Sequence, residues 1–204
     1  STQQLSVVQQ LLARRDEVTR AKRYLAYFQA YTSTYAEVEY LQRMYEEALS
    51  VSDMVGLCVG TRPDCVPDAV LDLLAGYQAR GYEVWLELGL QSANDKTLQR
   101  INRGHGYAAY EDAVSRAHAR GIKVCAHLIV GLPGEVPMDS LDTLHRIVAT
   151  GVEGIKLHPL HVVEGSILGK AWQAGRLEVL TLEQYVEAAV AMIQHTPPEV
   201  VYHR

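Results

Sequence analysis

Cysteine is scarce in this 204-residue chain, and the little there is forms no pattern. Cys58, Cys65 and Cys125 are too few and too scattered for a disulfide framework, and none of them makes a C-x-x-C pair. A reduced, cytoplasmic protein is expected. No apolar run reaches membrane-spanning length, and the N-terminus lacks a signal-peptide core, so no membrane partner is expected. The 19 Lys and Arg against 24 Asp and Glu leave a net charge of −5, which gives no argument for a broad nucleic-acid surface. Also missing are a G-x-G-x-x-G after a strand, a Walker loop and a nucleophile elbow, the usual marks of dinucleotide, nucleotide and hydrolase sites. There is no initiating Met: Ser1-Thr2-Gln3-Gln4 leads directly into a helical stripe of Leu5, Val8, Leu11 and Leu12 with no strand before it. The expectation is a piece of a longer protein.

What is present is a repeated strand–loop–helix unit. Hydrophobic residues make up 48% and charged ones 21%, enough for one domain, residues 1–204, with a sizeable core. A helix over 5–23 ends in a basic cluster (Arg14, Arg15, Arg20, Lys22, Arg23), read as a solvated face. Strands follow at Tyr24 to Ala30, Val51 to Gly60, Val84 to Leu90, Ile122 to Val130 and Gly154 to His158. Each is succeeded by a loop and a helix, and Gly81, Gly121 and Gly151 close the helices before strands. Helices over Ser166 to Ala174 and Leu182 to Gln194, the latter capped by Thr181, make a C-terminal extension over 165–204 that stops at Pro197-Pro198. Strands this apolar need both faces covered, which argues for a parallel α/β sheet. Five units are too few for a closed eight-fold barrel; a curved partial barrel and an open doubly wound sheet both fit the pattern.

The stretch from Val84 to His105 organises the rest. Its strand carries Glu87 and ends at Gln91 and Ser92, where ligands meet parallel α/β proteins. Asn94 or Asp95 then caps a helix that breaks at Asn102-Arg103-Gly104-His105. Glu87 inside an apolar strand is either a structural carboxylate bonded to a neighbouring strand's lysine or backbone, or a ligand acceptor inside a barrel. Arg103 either bonds the last carbonyls of its helix or clamps a carboxylate with its planar fork. Gly131-Leu132-Pro133-Gly134-Glu135 lets the backbone approach something flat. His127 among apolar neighbours reads as a core group on its own, and His158 with His161 lack a third metal ligand. No catalytic side chain and no metal ligand is assigned.

Taken together, ELGLQS (87–92), NRGH (102–105), GLPGE (131–135) and KLHPL (156–160) resemble the radical S-adenosylmethionine (SAM) superfamily, in the branch of Elp3-like and oxygen-independent coproporphyrinogen oxidase enzymes. With AYFQAYTSTYA (26–36), GTRPDCVPD (60–68) and GIKLHPLHVVEGS (154–166), the set is closer still to the bacterial YhcC-like radical SAM proteins. The resemblance runs from about Tyr24 to the C-terminus. It implies a partial (β/α)6 TIM-like barrel with SAM lying across the strand ends. Ala30, Tyr31 and Thr32 then occupy the loop that receives the methionyl amine, and Gln91, with Glu87 and Ser92 close by in sequence, reaches the ribose region. Arg103 pairs with the methionyl carboxylate, and His127 replaces a ribose-binding aspartate. Gly131, Leu132 and the strand from Lys156 to His158 line the adenine.

Two departures qualify that picture. A ribose-binding glutamate of the relatives is replaced by the loop Gly60-Thr61-Arg62-Pro63. The C-x-x-x-C-x-x-C loop that holds the superfamily's [4Fe–4S] cluster is absent, and Cys58, Cys65 and Cys125 cannot substitute. The expectation is therefore the SAM-binding barrel of a radical SAM oxidoreductase, missing the first strand and cluster loop and inactive by itself. Its parent would use a 5′-deoxyadenosyl radical on an unknown substrate, with electrons from a flavodoxin or ferredoxin. A non-catalytic α/β binding module is the alternative, and an Elp3-like RNA-modifying enzyme a third. An exposed barrel edge at the missing strand would favour a homodimer.

Overall fold

The computed structural model describes residues 23–29 and 35–203. The helix expected over 5–23 falls, but for Arg23, outside the described residues, as do Ala30, Tyr31 and Thr32. Six strands, β1 (Tyr24–Gln29), β2 (Met54–Thr61), β3 (Glu83–Gln91), β4 (Lys123–Val130), β5 (Gly154–Pro159) and β6 (Val201–Tyr202), follow one another in chain order in one sheet. The β1–β2, β4–β5 and β5–β6 pairings are parallel. Between the strands run α1 (Tyr35–Leu49), α2 (Asp68–Ala79), α3 (Asp95–Arg100), α4 (Tyr107–Ala119), α5 (Pro137–Ala149), α6 (Ile167–Gln173) and α7 (Leu182–Gln194). The chain forms two compact units, residues 1–87 with 115–123 and residues 88–114 with 124–204.

In the first unit, β2 and the start of β3 are buried almost without a break, because apolar side chains on both faces find cover. Leu57, Leu71, Leu74 and Leu86 are fully buried there. Aromatic rings continue the core. Phe28 meets Tyr45 at 5.1 Å between centroids, and Tyr45 meets the edge of Tyr77 at 6.2 Å, geometries favoured by ring quadrupoles. Gly56 on β2 sits against the Glu83 backbone so closely that any Cβ would overlap the Glu83 carbonyl.

The second unit is built on Leu88 and Leu90 of β3, Leu128 of β4, Leu144 of α5 and Ile155 of β5, all essentially inaccessible. Helix α5 starts at Pro137, since proline is tolerated where the amide has no helical partner. Asp139 accepts from the Val136 amide at 2.7 Å. Helix α7 spans the predicted residues, with Thr181 and Gln184 capping each other's amides at 3.2 and 2.9 Å. The sequence pattern did not predict β6. It follows Pro197-Pro198 and is held by two backbone bonds, Val201 N to Glu153 O (2.9 Å) and His203 N to Ile155 O (2.8 Å).

Two glycines of the first unit separate a close approach from open space. Gly56→Ala should destabilise the protein by about 2–4 kcal/mol, because backbone cannot retreat as a side chain can. Gly76→Ala, in α2 with nothing within 4 Å of its added Cβ, should be neutral or stabilising by about 0.5 kcal/mol. Urea denaturation of the two variants beside the parent checks both signs.

Candidate functional site

Glu87 belongs to the first unit, where it is 4% exposed. Tyr27 on β1 donates its hydroxyl to Glu87 Oε1 at 3.3 Å, and the Cys58 thiol on β2 lies 4.0 Å from Oε2. Tyr27 and Cys58 are register partners, so the parallel pairing itself presents the two donors side by side. Among the described residues, Glu87 thus meets a phenol and a thiol. Burial, then the Glu87 charge, pushes the Tyr27 phenol well above its ordinary range, so it remains protonated and able to donate.

In the second unit β3 ends on a strained residue. Gln91 has φ +73°, a conformation L side chains rarely take, at a cost of about 1–3 kcal/mol. The loop behind it holds it there. Ser92 donates to Glu135 Oε2 at 2.7 Å and accepts from the Asn94 amide at 3.0 Å. Thr97 on α3 gives Glu135 Oε2 a second bond at 3.0 Å. The Ala93 amide donates to Thr143 Oγ1 (3.1 Å), and its carbonyl accepts from Arg146 Nη1 (2.6 Å). Gln91 itself is 9% exposed, yet its Oε1 has no hydrogen-bond partner among the described residues. A buried acceptor without a donor is costly, and few native groups are left so without a reason.

Arg103 reaches the same strand. Asn94 caps α3 by accepting from the Lys96 amide at 3.0 Å. The helix stops in a Schellman turn: Asn102 takes φ +54°, its amide bonds Gln99 O (3.0 Å), and the Arg103 amide bonds Leu98 O (2.9 Å). That turn aims the Arg103 side chain back at β3, where Nη2 donates to Gly89 O at 2.7 Å. Nε donates to His105 Nε2 at 3.0 Å.

On β4 and β5, His127 pairs in register with Lys156, and its ring lies 4.5 Å from that of His158. All three are half-buried. Burial, then the charges of His158, Lys156 and Arg103, lower the His127 pKa to about 4, so the imidazole is neutral at pH 7. In the GLPGE loop Leu132 is buried, the side chain of Leu180 packs on Gly131, and the Arg100 guanidinium packs on Gly134.

The second unit therefore gathers Gln91 and Arg103 at the end of β3 and His127, Lys156 and His158 on β4 and β5, with Gly131 and Leu132 in the loop after β4. Ser92 serves the loop backbone, and Glu87 lies in the first unit. Sequence reasoning singled out neither His105 nor Glu135 individually, although each stands inside a motif it did single out. The cysteines do not fit a metal cluster. Cys58 faces Glu87, the Cys65 thiol lies 3.8 Å from Asp64 Oδ1, Cys125 is buried, and none of the three is in a disulfide. Among the described residues no three His, Cys, Asp or Glu come together as a metal site, and no helix is long and apolar enough to cross a membrane.

Comparison with known proteins decides the family. The model of the radical SAM superfamily matches residues 3–147. The chain belongs to the radical SAM superfamily. The radical SAM C-terminal domain matches residues 152–204. The chain is 64% identical to protein YhcC of Escherichia coli K12 over 99% of its own length and 65% of that protein's. It is 41% identical to the uncharacterized protein YtqA of Bacillus subtilis, over 89% of its own length and 56% of the relative's. It thus spans less than two thirds of these curated relatives. Among solved structures, the archaeal Methanocaldococcus infernus Elp3 superposes with a TM-score of 0.75 at 21% identity, covering 97% of this chain and 51% of that one. Coproporphyrinogen III oxidase from Escherichia coli, a radical SAM enzyme, superposes with 0.61 at 18%, covering 95% and 46%. The parallel six-stranded α/β fold is that of the superfamily's partial barrels.

The neutral state of His127 has a measurable consequence. Its folded pKa, about 4, lies below the unfolded value of about 6.5, so the unfolded chain binds the extra proton first. The contribution of His127 to stability should be constant above pH 6.5 and be lost progressively as pH falls toward 4. Denaturation midpoints of the parent and His127→Gln, followed from pH 8 to 4, should diverge in that window, with the variant the flatter of the two.

Proposed function

We propose that the second unit binds S-adenosylmethionine at the end of β3. The observation that carries this reading is the buried, partnerless Oε1 of the strained Gln91, on the strand whose backbone also anchors Arg103. An acceptor kept dry and unpaired suits a ribose hydroxyl. A guanidinium suits the methionyl carboxylate, since its planar fork matches a carboxylate two bonds at a time. His127, Lys156 and His158, with Gly131 and Leu132, would contribute the adenine side, where a neutral imidazole is compatible with a flat aromatic base. SAM held there would, given a [4Fe–4S] cluster and one electron, supply the superfamily's radical chemistry with methionine as the leaving group.

The residues of this chain bind and orient in that scheme; they do not ligate iron. Its three cysteines are engaged elsewhere or buried, so the cluster's thiolates must come from other residues. The substrate class of the whole protein, its reductant, and any pairing of copies through a sheet edge belong to the same proposal.

Calorimetric titration of the purified chain with SAM tests the reading. Gln91→Ala should weaken binding about tenfold, the worth of one neutral hydrogen bond. Arg103→Ala should weaken it by one to two orders of magnitude, as expected for a charge-assisted pair. Absence of binding by the unaltered chain at millimolar SAM would sink the proposal. Iron and sulfide analysis of the longer reading frame, prepared without oxygen, then separates a radical enzyme, with about four of each per chain, from a binding module with none.

A further inference from the structure

Arg103 does not hold its fork in place alone. Its Nε–H always donates, because a guanidinium keeps its proton at any accessible pH. The atom 3.0 Å away, His105 Nε2, must therefore offer a lone pair. The ring proton then sits on Nδ1, which faces Gly106 O at 3.5 Å. Together with the Nη2 bond to Gly89 O at 2.7 Å, the imidazole fixes the guanidinium along two separate directions. A doubly protonated His105 has no acceptor and places a second positive charge against Arg103.

Solvent reaches this pair. A pocket of about 440 Å³ is lined by Asp95, Leu98, Asn102, Arg103 and His105 among others. Among the described residues, Arg103, Asp95 and His127 are the charged or titratable groups to weigh beside His105. Arg103 is a fixed positive charge whose Nε lies 3.0 Å from the ring. Asp95, the nearby carboxylate, is occupied by the Tyr107 amide at 2.8 Å. His127, which feels the Arg103 charge, is lowered to about 4 and stays neutral above that pH.

We propose that His105 is the positioning residue for Arg103: its neutral Nε2 orients the guanidinium that takes the ligand's carboxylate, and protonation of His105 releases that grip. The inference rests on the SAM-binding reading for the identity of the ligand, but the hydrogen-bonded pair stands apart from it.

Two arms keep the two claims separable. In the first, SAM affinity is measured from pH 8 to 5.5 for the parent, His105→Gln and His105→Phe. Glutamine supplies an untitratable acceptor; phenylalanine supplies none. The parent should lose about tenfold in affinity on acidification, His105→Gln should stay within about twofold across the range, and His105→Phe should bind about tenfold more weakly at pH 8. Binding by His105→Phe equal to that of the parent, or an acid-side loss persisting in His105→Gln, would overturn the proposal. In the second arm, ¹⁵N-labelled imidazole spectra of the full chain without ligand report the tautomer. An Nδ1–H ring whose Nε2 resonance shifts in Arg103→Lys upholds the pair, and an Nε2–H ring refutes it. If the parent chain binds no SAM, the reading of the ligand fails and these spectra alone decide the pair.

Discussion

The backbone of Gln91 is the constraint on which the candidate site depends. A glutamine at φ +73° at the end of a buried strand does not stay there by preference. It stays because the next two residues are tied down from two directions: by Glu135 after β4, itself steadied by Thr97 on α3, and by Thr143 with Arg146 on α5. Glu135 is the central tie. Burial raises its pKa, and the Ser92 and Thr97 hydroxyls work against that rise by stabilising the carboxylate. The pair of bonds to one oxygen turns an acidic side chain into a clamp between a strand end and a helix.

Arg103 depends on the same strand through a different device. Helix α3 has only six residues, too short to be stable without its ends. Its Asn94 cap and its Schellman turn at Asn102 supply those ends, and they also fix where residue 103 leaves the helix. A one-residue change in helix length would rotate Arg103 by about 100° and take it off Gly89. The shortness of α3 is thus part of what points the guanidinium at β3.

The order of elements was readable from the chain because it is set by local pattern. Apolar runs gave the five longer strands, and Thr181 with Gln184 gave α7 its start. Pro197-Pro198 hid β6, since two residues held by two backbone bonds leave no periodicity to detect. The contacts that define the site were less legible for a physical reason. Tyr27 meets Glu87 across 60 positions and Ser92 meets Glu135 across 43, and hydrophobic pattern says nothing about which polar groups will face each other at such distances. Gln91 could be named from its motif; its positive φ could not, because glutamine carries no preference for that region.

The fate of the cysteines sharpens what kind of half-site this is. A thiol is a metal ligand only as a thiolate, which needs positive neighbours or the metal itself. Cys58 is instead buried beside the Glu87 carboxylate, and the partly exposed Cys65 has Asp64 next to it. Asp64 is itself paired with Arg62, at 3.0 and 2.8 Å. The two cysteines of the first unit thus each stand beside a carboxylate, while the second unit concentrates Arg103, Lys156 and two histidines near a strand end. On the proposed reading these residues secure the organic cofactor, and the iron must be brought to it by thiolates that this stretch of chain does not contain.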